Sequence, residues 1–159
     1  MSENKSSIFQ ERDILLNLSS CSIFLLCQAT TQDESIIESL IESNDQMRVF
    51  YDLIETVLNS ADNDQNGNST DVQLIFSKNL ILSILCFLCN VLSNSKGRSW
   101  FIKSCGNSSL IERLILMRQK SVVDSMEERI LTNIFLNLTP CLEEINLDKS
   151  KIDYLKTFL

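Results

Sequence analysis

The chain has 159 residues, a net charge of −7, 3 Gly, 1 Pro and no histidine. A chain of this size suits one domain with a sizeable core, and its acidic balance excludes a general nucleic-acid surface, which needs excess positive charge. Without histidine, Ser-His-Asp and Cys-His catalysis, histidine-ligated metals and histidine pH switching are closed. So few glycines and prolines also exclude phosphate-cradling glycine loops and the frequent turns of a sheet-rich fold.

What remains is a succession of helices. Apolar residues cluster from Ile8 to Cys27, which predicts a largely buried helix. Asp33 can cap a second helix with Ile36, Ile37, Leu40 and Ile41 on one face. Asn44 or Asp45 caps a third, in which Met47, Val49, Phe50, Leu53, Ile54, Val57 and Leu58 fall at helical spacing. A polar loop follows at about 60–71, and Asp71 opens a long helix through Leu92. Its final stretch, Leu80 to Leu92, is apolar at nearly every position, so neighbours must enclose it. The run is 13 residues long, interrupted by Ser83 and Asn90, whereas a membrane span needs about 20. A buried core helix is therefore expected, and no membrane partner.

The next elements repeat this order. Asn94 to Gly97 reads as a turn, and Arg98 to Cys105 as a short helix carrying Trp100, Phe101 and Ile102. Gly106 ends it, and Asn107 or Ser108 caps a helix with Leu110, Ile111, Leu114, Ile115 and Met117. Asp124 opens a helix through Leu138, which Pro140 helps to stop, and Lys149 to Phe158 makes a final short helix. In register these give a unit of short, medium and long buried helix, from about 33 to 93 and again from about 97 to 139. The helix at 8–27 then stands as the last helix of a preceding unit, and 149–158 as the start of a following one. Asparagines mark the long helices as NLSS (Asn17), CNVLSN (Asn90) and LNLTP (Asn137), the last two 47 residues apart.

With the stretches CNVLSNSKGRSWFIKSCGNSSLIERLI and LTNIFLNLTP in place, the chain resembles the armadillo/HEAT-like helical repeat superfamily. Gly106 matches the glycine that often precedes the second helix in that superfamily. The expected fold is all-α: a short armadillo-like α-solenoid, or an irregular helical bundle of about 6–8 helices, forming a single domain over 1–159. Rotatin-type centriolar proteins are similar in their diverged repeats, so a centriolar structural component is an alternative reading.

Three local features bear on chemistry. The six cysteines include Cys86-x-x-Cys89, but the pair lies in mid-helix among Leu85, Phe87 and Leu88, so buried thiols in a reducing compartment are expected. The run Asp62-Asn63-Asp64-Gln65-Asn66-Gly67 matches the first half of an EF-hand loop, making Asp62, Asp64 and Asn66 weak calcium candidates. Gln73 stands where the bidentate glutamate belongs, so a solvated loop is the expectation, with no metal and no cofactor. Finally, Lys96, Arg98, Lys103, Arg113, Arg118 and Lys120 form a basic cluster opposed over 94–120 by Glu112 alone. This cluster is the candidate partner-binding face for an acidic protein.

Charge is uneven as well. Residues 1–75 carry three basic and thirteen acidic residues, net −10, whereas 76–159 carry eleven and eight, net +3. The expected function is a non-enzymatic protein–protein interaction scaffold, cytoplasmic or nuclear, with self-association through end helices. The alternative is a helical protein or enzyme that binds a small molecule or metal ion through Asp, Glu, Lys or Cys.

Overall fold

A computed structural model describes residues 3–63, 71–104, 109–145 and 147–158. The fold is all-α, with eight α-helices and no strand among the described residues. They are α1 (Glu3–Gln32), α2 (Glu34–Glu42), α3 (Asn44–Asn63), α4 (Asp71–Ser93), α5 (Ser95–Ser104), α6 (Ser109–Lys120), α7 (Met126–Leu138) and α8 (Lys149–Lys156). A 3₁₀ helix, Thr139–Glu144, joins α7 to the segment before α8 and carries Pro140 in its first turn.

Most expected helices are present, with informative differences at their ends. The first helix is longer than Ile8–Cys27, running the full length of α1. α3 continues through Asn63, so the polar loop expected from 60 begins later, and 64–70 lie outside the described residues. Asp33 caps α2 as expected, its carboxylate accepting from the Ser35 N–H at 2.9 Å. α7 is capped by Ser125, whose hydroxyl accepts from the Glu128 N–H at 3.1 Å, and Glu128 reaches back to the Asp124 N–H. Asp124 itself is the left-handed residue before the cap, at φ 63°, rather than the helix start. The caps expected at Asn107 or Ser108 lie outside the described residues.

Gly97 is the clearest correction. It belongs to the first turn of α5, and Asn94 alone connects α4 to α5 across a bend of 114°. Asn94 is buried, and its Oδ1 accepts from the N–H groups of Lys96 (2.8 Å) and Gly97 (3.4 Å). A Cβ on Gly97 would sit 1.9 Å from the Val91 carbonyl oxygen, so the bend requires glycine here for space. Arg98 completes the corner, its Nη1 donating to the Leu92 and Ser93 carbonyls at 2.9 Å each.

The core is arranged around α4. It packs along α1 on one side and α7 on the other, with α3 and α5 also against it. Leu80, Ile84, Leu85, Phe87, Leu88, Val91 and Leu92 are all buried, so the apolar run is enclosed by helices as expected. Phe87 meets Phe50 of α3 edge-on, ring centroids 4.3 Å apart. α2 rests on α5, and α6 on α7. No single helix among the described residues is long and apolar enough to cross a membrane.

Two asparagines fix the register of this row. Asn90 Nδ2 donates to the Cys27 carbonyl (3.0 Å) and to the hydroxyls of Thr30 (3.1 Å) and Thr31 (2.8 Å) on α1. Asn137 Nδ2 donates to the Cys89 carbonyl at 3.2 Å, the same contact one helix further along. In each case the acceptor immediately precedes the asparagine's counterpart. The residue of α1 in register with Asn90 and Asn137 is therefore Gln28, in LLCQ against FLCN and IFLN, and not Asn17.

Candidate partner-binding groove

The helix row creates a groove between α1 and α4. Along α1 it is lined by Ser20, Cys21, Phe24, Leu25, Cys27 and Gln28, and along α4 by Asn79, Leu82, Ser83 and Cys86, together with Met126 of α7. Its volume is about 680 Å³, in the range of ligand and peptide-anchor sites. Spacings of three and four residues on both helices put these side chains on facing stripes. Phe24 is 53% exposed and Leu25 67% exposed. Each forgoes roughly 2 kcal/mol of burial free energy that a covering partner would restore. Among the described residues no charged side chain lines the groove; its polar groups are hydroxyls, amides and thiols. Ser20 Oγ is buried there with no hydrogen-bond partner among the described residues.

Three thiols sit at the groove floor and the seams beside it. Burial pushes Cys86 up to about 11, and raises Cys27 and Cys89 in the same direction. At neutral pH these thiols stay protonated, which makes them poor nucleophiles and poor metal ligands. The CxxC pair is thus packing material, as its mid-helix position predicts. Among the described residues no group of three acidic, cysteine or histidine side chains is placed to hold a metal ion. Asp62 falls in the last turn of α3, while Asp64 and Asn66 lie outside the described residues.

Several members of the basic cluster have partners within the chain. Lys96 pairs with Glu38 of α2 at 2.8 Å, which raises its own pKa and lowers that of Glu38. Arg98 serves the end of α4, as described above. Arg118 is drawn inward: it pairs with Glu128, donates from Nε to the Thr132 hydroxyl at 3.2 Å, and lies 5.7 Å over the Phe158 ring. Arg113 is half-buried on α6. Lys103 and Lys120 remain exposed, at the far ends of α5 and α6. Trp100 is buried and plugs α5 into the core.

Sequence periodicity missed Phe24 and Leu25 because α1 is apolar on several faces, and a period cannot tell which face receives a neighbour. The available signal was excess: three consecutive large residues, Phe24-Leu25-Leu26, cannot all face one core. Compared with known proteins, the chain finds no match among family models, curated proteins or solved structures.

Proposed function

We propose that the chain is a non-enzymatic interaction module of armadillo-like helical repeats, which holds an apolar helical segment of a partner protein in the groove between α1 and α4. The observation that carries this reading is an uncharged groove of about 680 Å³ with Phe24 and Leu25 exposed along it. An amphipathic helix laid in such a groove inserts apolar anchors at i, i+3/i+4 and i+7. The repeat assignment draws support from the two asparagine contacts, which place α1, α4 and α7 in one register. The partner's chemistry differs from the acidic peptide expected of the basic cluster, because Lys96, Arg98 and Arg118 are engaged within the chain.

The test is selection from a displayed library of helical peptides. Enrichment of apolar i, i+3/i+4, i+7 patterns is expected, with binding lost in Phe24→Glu and retained in a Lys103→Glu, Lys120→Glu double variant. Enrichment of acidic peptides whose binding depends on Lys103 and Lys120 would overturn the reading, as would no enrichment at all.

A further inference from the structure

The two seams of the helix row define what a third would need. In each, an amide from the later helix donates to the carbonyl just before the earlier helix's register residue: Asn90 to Cys27, then Asn137 to Cys89. The next acceptor in this series is the Leu136 carbonyl of α7. Within the chain it accepts from the Thr139 N–H, and the residue four positions on is Pro140, which has no N–H to give. Its remaining lone pair is available to an external donor. The Leu136 side chain is 41% exposed, whereas its counterparts are covered: Cys27 is buried and Cys89 half-buried. α8 follows α7 as α5 follows α4, and still leaves this position open.

The complementary half of the seam is on α1. Gln28 holds the register position of Asn90 and Asn137 and is exposed, and the exposed Leu18 (59%) and Leu25 (67%) lie on the turns before it. We infer that a second copy of this chain packs its α1 on α7 of the first, head to tail, with Gln28 donating to the Leu136 carbonyl and Leu18 and Leu25 covering the Leu136 side chain. The charge division favours the same pairing, since it sets the −10 half of one copy beside the +3 half of the other. α8 of the first copy and α1 of the second then supply the first and third helices of one composite unit. Leu25 and Gln28 also line the groove, so a second copy and a groove-bound helix compete for them, whereas Leu18 and Leu136 belong to this interface alone.

Such a contact is heterologous, so its signature is complementation between differently broken copies. Sedimentation of the wild type over a concentration series is expected to give masses above the 18.1 kDa of one chain, falling back as salt is raised. Leu18→Asp and Leu136→Asp change exposed residues that do not line the groove, so each is expected to keep the helical circular dichroism of the wild type. Each alone is expected to weaken association by about tenfold or more. Mixed one to one, they are expected to form a dimer, because one supplies an intact α1 and the other an intact α7. A wild type that stays monomeric throughout would overturn the inference. So would single variants that associate normally, or a mixture that does not recover.

Discussion

Asn90 and Asn137 each donate to a cysteine carbonyl one helix back, yet the α1–α4 seam opens into a groove while α7, across the α4–α7 seam, buries five large side chains. On α7, Ile130, Leu131, Ile134, Phe135 and Leu138 are all buried. On α1, from residue 17 onward, Ile23, Cys27 and Thr30 are buried, and the large side chains Phe24 and Leu25 point away from the core. One polar device therefore sets register in both seams, and the volume of the side chains beside it decides whether the seam closes. Small polar residues of α4, Asn79 and Ser83, face α1 along the open side and leave it unfilled.

The largest disruption to either seam should come from the corner that positions the end of α4. Gly97→Ala places a methyl group against the Val91 carbonyl and pushes α5 off α4, which carries both Asn90 and Cys89. A loss of about 3 kcal/mol is expected in urea unfolding, as for an overpacked core. A change under about 0.5 kcal/mol would mean that the corner relaxes freely.

Next come the asparagines, which sharpen the comparison directly. Asn90 reaches a carbonyl and two threonine hydroxyls, whereas Asn137 reaches one carbonyl. Asn90→Ala is expected to cost about 2 kcal/mol and Asn137→Ala about 1 kcal/mol. The order of the two in thermal unfolding is the test, and the reverse order would show that the open seam does not depend on its amide. Arg118→Ala probes the outer side of α7, where it removes the Glu128 pair, the Thr132 hydrogen bond and the Phe158 contact. An expected loss of about 0.5–1 kcal/mol reflects a pair that is mostly but not fully shielded.

The smallest effect concerns acid. Side-chain and backbone hydrogen bonds at Ser35 hold the Asp33 carboxyl below its usual range, and Lys151 followed by Ser150 does the same for Asp148. Their stabilisation is present above the ordinary carboxylate pKa and is lost as pH falls through the lowered one. On acidification, amide signals at the starts of α2 and α8 should broaden before those of α4. Simultaneous loss throughout the chain would contradict this division between capped periphery and seam.

Helix identity was legible because apolar spacing and caps act locally: Asp33, Asp71 and the final helix from Lys149 all fall where the sequence places them. Register was legible only in part. Asn90 and Asn137 were matched correctly, but the amide on α1 is Gln28, and a search for asparagine finds Asn17 instead. A glycine after Asn-Ser-Lys reads as a turn, and only the 1.9 Å approach of a Cβ to the Val91 carbonyl explains Gly97 inside a helix. The basic cluster shows a related limit of reading by sequence distance. Arg118 finds partners in Glu128, Thr132 and Phe158 on later elements, which its neighbours in sequence do not announce.

The groove between α1 and α4 is the central claim, and Cys21 reports on it without mutation. It is exposed and lines the groove, whereas Cys27 is buried and Cys86 and Cys89 are half-buried with raised pKa values. The measurement is the alkylation rate of Cys21, read by peptide mass spectrometry, with and without a saturating concentration of a selected helical peptide. The account predicts that Cys21 reacts fastest of these four thiols and slows about tenfold or more when the peptide is bound. An unchanged Cys21 rate with the peptide demonstrably bound would place the partner elsewhere and contradict the account.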